Sequence, residues 1–203
     1  MSTLEEIYNQ GRELYGSSPS EFTDKGTWHS YIGVYQELFN QYPGVVKMLD
    51  IGVHAGGSLW LWSNYLPTYE VWGMDISPNF IPERPFQVDL INDPDVHTLW
   101  NRDSTLAESY NDVPNEFDII IDDGDHHEDA QIKTFFAAWP KLSENGTYII
   151  EDVPDRGKVE YIISKIQEFY TDLKFDIWYG PKTTDDIIIK ISRVTSVVRP
   201  LGS

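Results

Sequence analysis

The reading of "VVKMLDIGVHAGGSLWLWSNYL", residues 45–66, decides the fold. A short β-rich run ends at Asp50, glycines at 52, 56 and 57 mark a turn, and from Ser58 the apolar residues are dense enough for a helix. The same alternation continues downstream. "EVWGMDIS" and "FQVDL" read as strands, "PDVHTLWNR" as a helix, "FDIIIDD" as a strand and "DAQIKTFFAAWPKL" as a helix. "TYIIEDV" then reads as a strand and "GKVEYIISKIQEFY" as a helix. Such alternation is the mark of βαβ units on a mostly parallel sheet, with helices on both faces. The tail differs: "KFDIWYG" and "DDIIIKISR" are separated only by "PKTT", too short for a crossover, so they predict an antiparallel C-terminal hairpin at or near the sheet edge.

Upstream of this core, Leu4, Ile7, Tyr8, Leu14 and Tyr15 recur at helical spacing before "GSSPSEF" interrupts them. A second helix is expected from Tyr31, Val34, Tyr35, Leu38 and Phe39, ending at "QYPG". The expectation is one domain over 1–203, with a helical lead-in or lid over 1–42 and a core over 43–195. A chain of 203 residues is long enough to bury about 70% of its unfolded surface.

Fifteen basic and 33 acidic residues give a net charge of -18, which repels nucleic acid and anionic membrane surfaces. There is no cysteine, hence no disulfide framework and no thiolate metal site. The N-terminus "MSTLEEIYNQ" has neither a basic region nor an apolar run, and the reading is a cytoplasmic protein with no membrane partner.

In open α/β sheets ligands bind beyond the carboxyl ends of the strands. The expected strand ends are Asp50, Asp75, Asp89, Asp122 with Asp123, and Glu151 with Asp152, all acidic. Gly52, Gly56 and Gly57 permit a tight turn and close backbone approach to a ligand, and Ser58 opens a helix whose N–H groups face a carboxylate or phosphate. An ordinary strand-to-helix turn is the plainer alternative, and His54 in the loop is either a cofactor contact or a turn residue. Asp75, followed by Ile76, is spaced to accept hydrogen bonds from ribose hydroxyls. Asp89 is either an acceptor for an exocyclic amine of adenine or a helix cap.

The set "LDIGVHAGGS", "GMDIS", "VDL", "DIIIDDG" and "GTYIIEDV" resembles the class I methyltransferases that use S-adenosylmethionine. The lead-in "FTDKGTWHSYIGVYQELF" resembles that of the metal-dependent sugar O-methyltransferases of macrolide pathways, and a related enzyme of the cephalosporin pathway is similar in its acidic strand ends. The resemblance covers about residues 22–155. It implies a Rossmann-like class I fold with a seven-stranded sheet, and a cofactor site at Asp50, Gly52, His54, Gly57, Ser58, Asp75, Ile76, Asp89 and Asp122. It also implies a metal held by Asp123, Glu151 and Asp152. Converging carboxylates need a neutralising cation, and oxygen ligands favour magnesium or another hard divalent ion. The implied reaction is methyl transfer to a hydroxyl of a sugar, glycoside or other small acceptor, with Asp123 and His126 catalytic and His126 the general base. Which of Asp122 and Asp123 meets the metal stays open, with Asp122 able instead to face the cofactor. Glu128 and Asp129 read as the acidic first turn of a helix, His127 as an exposed neighbour and His97 as a helix residue. Lys25, His29 and Tyr31 are expected to approach the site, and Trp28 is placed to stack on an acceptor.

Two other readings compete. Tyr161 and Lys165 have the spacing of a nicotinamide-dependent dehydrogenase, although the G-x-x-x-G-G loop is not that of a dinucleotide fold. A binding or accessory protein could keep the fold and the cation site without turnover. Oligomeric state, including a homo-oligomer, is not encoded in any motif.

Overall fold

The computed structural model describes residues 2–16, 21–77 and 85–194. Two helices, α1 (Leu4–Tyr15) and α2 (Ile32–Phe39), precede the alternating core. The core runs β1 (Val46–Ile51), α3 (Gly57–Tyr65), β2 (Tyr69–Asp75), α4 (Pro85–Asn92), β3 (Val96–Trp100), β4 (Phe117–Asp122), α5 (Glu128–Ala138), β5 (Leu142–Ile150) and α6 (Arg156–Gln167). The hairpin β6 (Leu173–Tyr179) and β7 (Ile187–Arg193) completes it, and short 3-10 turns at Ala107–Tyr110 and Trp139–Lys141 flank β4 and α5.

The seven strands form one sheet in the order β3-β2-β1-β4-β5-β7-β6. Strands β1 to β5 pair in parallel, whereas β7 runs antiparallel to both β5 and β6, so the expected hairpin forms the sheet edge. Alternation along the central strands explains why both faces are covered. Ile119 and Ile121 of β4 join the core beneath α1 to α4, while Ile120 joins the core beneath α5 and α6. All three isoleucines are fully buried, each contributing about 1.5–3 kcal/mol of transfer free energy.

Local signals agree with the helix starts. Thr3 caps α1: its hydroxyl accepts from the Glu6 N–H at 3.1 Å while Glu6 accepts from the Thr3 N–H at 2.8 Å. The buried stripe Leu4, Ile7, Tyr8 and Gly11 then packs α1 against α2 and α3.

One region corrects the sequence reading. "FQVDL" lies in α4, and the third strand falls instead on "VHTLW", expected to be helical. Phe86, Val88 and Leu90 alternate as in a strand, yet Phe86 and Leu90 are also one helical turn apart, and both are buried while Val88 and Asp89 face out. Pro85 sits at the first helical position, where its missing N–H costs nothing. Asp89 is therefore exposed on a helix, not at a strand end, and His97 lies on β3, stacked on Trp72 at 4.3 Å. Among the described residues, no helix is long and apolar enough to cross a membrane.

Candidate active site

Strand order reverses between β1, which has β2 on one side and β4 on the other, so the carboxyl ends of β1 and β4 flank the topological switch point. Backbone bonds lock these ends together: Gly52 N–H donates to Met74 O at 2.8 Å, Asp123 N–H to Ile51 O at 2.9 Å and Glu151 N–H to Asp122 O at 2.9 Å. Gly52 has φ +87°, and a Cβ there would meet the Asp123 carbonyl oxygen at 1.9 Å, so the close β1–β4 approach requires glycine. Gly57 is required for another reason, since its Cβ would sit 2.0 Å from the Phe22 carbonyl oxygen, where the lead-in crosses the start of α3.

A cleft of about 250 Å³ opens above these ends, walled by Thr23 and Asp24 of the lead-in, by Gly52, His54 and Ser58 of the glycine loop, and by Asp75, Asp123, His126 and Asp152. A second hollow of about 450 Å³ shares Gly52, Asp75 and Gly124 with it and extends past Ile76 to Arg102, Asp103 and Ser104. Asp75 stands between the two, its carboxylate fixed by the N–H groups of His54 at 2.8 Å and Ser77 at 2.7 Å. His54 adopts φ +46° in the turn. Asp103, whose carboxylate accepts from the N–H and hydroxyl of Thr105, has its pKa lowered by those bonds. Asp103 and Ser104 escaped the sequence reading because the strand that presents them was misplaced.

Not every expected cofactor residue faces the cleft. Asp50 is buried beneath the glycine loop, where it accepts from Trp62 Nε1 at 2.9 Å and from the Ser58 side chain, and burial raises its pKa. Asp122 is buried too, its Oδ2 3.3 Å from the Tyr148 hydroxyl and its Oδ1 without a partner of ordinary geometry. Burial pushes its pKa up to about 8. Asp123, next in sequence, is the one of the pair that lines the cleft. Tyr161 and Lys165 engage Asp129 and Glu168 on exposed surface and line neither hollow.

The acidic cluster lines the first cleft, not the hollow that Arg102 and Asp103 line. Ligand atoms of Asp123, His126 and Asp152 all lie within 4.8 Å of one another. His126 Nε2 is 3.3 Å from Asp123 Oδ1, and its Nδ1 is 3.6 Å from Asp152 Oδ2. The hydrogen bond to Asp123 raises the His126 pKa to about 9, against the opposing effect of burial. Burial, reinforced by the neighbouring Asp123 charge, raises Asp152 to about 6. Glu151 points the other way, to Lys25 Nζ at 2.5 Å and to the Tyr35 hydroxyl. Asp152 itself has φ +52°, which turns its side chain away from that of Glu151 and into the cleft.

The lead-in supplies what surrounds this cluster. Asp24 O accepts the N–H groups of Thr27, Trp28 and His29, a compact turn that buries Lys25 and His29 and leaves Trp28 60% exposed outside the cleft. The Tyr31 hydroxyl donates to Asp152 Oδ1 at 2.6 Å, and His29 Nε2 lies 3.4 Å from Asp152 Oδ2. Lys25, His29 and Tyr31 thus all reach the cluster, as the resemblance implied. Tyr35 does so as well, though it reads in sequence as a plain core position of α2.

No protein-family profile matches the chain. In sequence it is 26% identical over 179 residues to the 8-demethyl-8-(2-methoxy-alpha-L-rhamnosyl)-tetracenomycin-C 3'-O-methyltransferase of Streptomyces olivaceus, covering 77% of this chain and 44% of that one. It is 32% identical over 152 residues to the mycinamicin VI 2''-O-methyltransferase of Micromonospora griseorubida, covering 70% of this chain and 36% of that one. The chain therefore spans less than half the length of these relatives. Among solved structures, a methyltransferase from the mycinamycin biosynthetic pathway in complex with Mg, SAH and mycinamycin VI superposes with a TM-score of 0.71 at 21% identity, over 99% of this chain and 57% of that one. An SAH-bound methyltransferase of Podospora anserina gives 0.62 at 17% identity, over 95% and 88%. The chain is a homologue of these sugar O-methyltransferases and carries the class I methyltransferase fold.

Proposed function

We propose that the chain is an S-adenosylmethionine-dependent and magnesium-dependent O-methyltransferase acting on a hydroxyl of a sugar or glycoside. The observation that carries this reading is the junction in one cleft of a glycine turn at the switch point with the group Asp123, His126 and Asp152. The donor set fits the cation: the carboxylates of Asp123 and Asp152 converge beside His126, and oxygen donors with surplus negative charge call for a hard divalent ion. S-adenosylmethionine supplies the methyl group, and the divalent ion lowers the pKa of the acceptor hydroxyl.

The chain's own residues do the rest. Asp75 accepts from ribose hydroxyls at the end of β2, and Asp103 with Ser104 faces the base. Asp123 and Asp152 would hold the cation, which would supply Lewis-acid activation of the acceptor hydroxyl beside His126. His126 takes the hydroxyl proton; its pKa of about 9 reflects the hydrogen bond to Asp123 and the nearby charges of Asp123, Asp152 and Glu151, and falls once the cluster is neutralised. With its proton passed to His126, the hydroxyl oxygen would be free to attack the methyl group that bound S-adenosylmethionine supplies, with S-adenosylhomocysteine as the leaving group. Residues 1–42 act as the lid, with Thr23 and Asp24 closing the cleft wall. The net charge of -18 favours a small neutral acceptor over nucleic acid or a membrane surface, and a cytoplasmic setting fits the cofactor supply.

Calorimetric titration with S-adenosylmethionine, followed by methyl-transfer assays across sugars and glycosides with magnesium or a chelator, tests the reading. Cofactor binding with chelator-sensitive transfer is expected, and His126→Ala should lower the rate about 10²–10⁴-fold with cofactor affinity preserved. Absence of cofactor binding in both conditions would overturn the assignment.

A further inference from the structure

Lys25 has no part in the chemistry just described, yet it is among the most buried side chains of the protein, 1% exposed in a lead-in turn. Taking an ammonium out of water is costly, and the cost is met only by close anionic partners. Two are present: Asp123 Oδ2 at 2.8 Å and Glu151 Oε2 at 2.5 Å. Among the described residues, no other lysine or arginine makes an ion pair with Asp123, Glu151 or Asp152.

The oxygens of the cluster divide accordingly. Glu151 is spent on Lys25 and Tyr35, both from the lead-in side. Asp123 gives one oxygen to Lys25 and turns the other toward His126 in the cleft. Three carboxylates carry three negative charges and Lys25 offsets one; with His126 neutral, as a base requires, two remain, the charge of one divalent ion. Resting on the metal-dependent reading above, we infer that Lys25 is a resident counter-cation of the metal site. It holds Asp123 and Glu151 in position and, by like-charge repulsion at short range, limits how tightly the divalent ion binds. It is a positioning and affinity-setting residue supplied by the lead-in rather than by the sheet.

Manganese(II) serves as the probe, its affinity read by electron paramagnetic resonance on the intact chain. Lys25→Met should bind it about tenfold more tightly, because a unit charge a few ångströms from a divalent ion is felt to that extent even at water-like screening. Lys25→Gln, which keeps an N–H donor for Glu151, should tighten binding likewise and serves if the methionine variant does not fold. Lys25→Arg keeps the charge and should stay within about threefold of the parent. A merely structural lysine would give weaker binding in the neutral variants. Unchanged or weaker binding in folded Lys25→Met and Lys25→Gln overturns the inference while leaving the metal site standing. A parent protein that binds no manganese overturns the metal-dependent reading together with it.

Discussion

At the residue scale, adjacent aspartates have opposite fates. Asp122 closes β4 facing inward, and Asp123, one position on, faces the cleft. Strand geometry sends consecutive side chains to opposite faces, so only one of two neighbours can reach a given site. The consequence for Asp122 is a folded pKa of about 8, far above the unfolded carboxyl value near 4. A raised folded pKa means that the associated stability is fully present below about pH 4 and is lost as the pH rises through about 8. Asp122→Asn cannot ionise. Its melting temperature should match the parent's near pH 4 and exceed it at pH 8 to 9, by an amount equivalent to about 1–3 kcal/mol, the usual cost of an ill-paired buried polar group. Melting curves across that range check it; parallel pH profiles for the two proteins would refute it.

Elements carry the next level of organisation. Residues 21–31, between α1 and α2, have no regular secondary structure, yet the side chains of Lys25, His29 and Tyr31 are buried against the acidic cluster. The turn between β6 and β7 holds it there. Asp186, fully buried, accepts from the Ser30 N–H at 2.9 Å and the Lys182 N–H at 3.1 Å, while Lys182 Nζ donates to the carbonyls of Gly26 and His29, both at 2.7 Å. The C-terminal hairpin is thus the clamp on the N-terminal segment. Asp186→Ala removes the acceptor of two part-buried N–H groups and should cost about 1–3 kcal/mol. Hydrogen exchange should localise the loosening to amides 24–31, with β1 to β5 protected as before. Loosening spread evenly over the sheet would count against the clamp.

Over the whole molecule, the charge of -18 opposes compaction, and part of it is concentrated where Asp123, Glu151 and Asp152 meet. Neutralisation of the cluster by a cation that binds only the folded state adds RT ln(1 + [L]/Kd), about 2.7 kcal/mol at one hundred times Kd. Millimolar magnesium should raise the melting temperature beyond the rise produced by sodium chloride of equal ionic strength, and a chelator should reverse it. In Asp123→Asn the specific increment should vanish and only the general salt effect remain. Equal shifts in both salts would mean that magnesium acts by screening alone.

The limits of sequence reading follow from the range of the interactions involved. The strands in "VVKMLDIG", "EVWGMDIS", "FDIIIDD" and "TYIIEDV" stood out because each carries a short apolar run closed by an acidic or glycine-rich turn, whereas the first half of β5, Leu142 to Gly146, was not read as strand. The hairpin was legible from a four-residue connection that excludes a crossover. "FQVDL" and "VHTLW" were exchanged because five-residue segments suit either period, and only burial of Phe86 and Leu90 on one helical face distinguishes them. The site's composition was likewise local: "DDGDHH" and "IIEDV" announce a charged cluster after two strands. Its division of labour was not. That Asp50 lies under the loop, that Glu151 turns to Lys25 and Tyr35, and that Asp186 secures a turn more than 150 positions away depend on contacts between segments distant in the chain. Sequence by itself determined the layering of the fold and the acidic strand ends, since periodicity and turn chemistry act within a few residues. Tertiary structure alone decided which carboxylates face the cleft and which cation each one meets, because burial and charge pairing are set by neighbours in space.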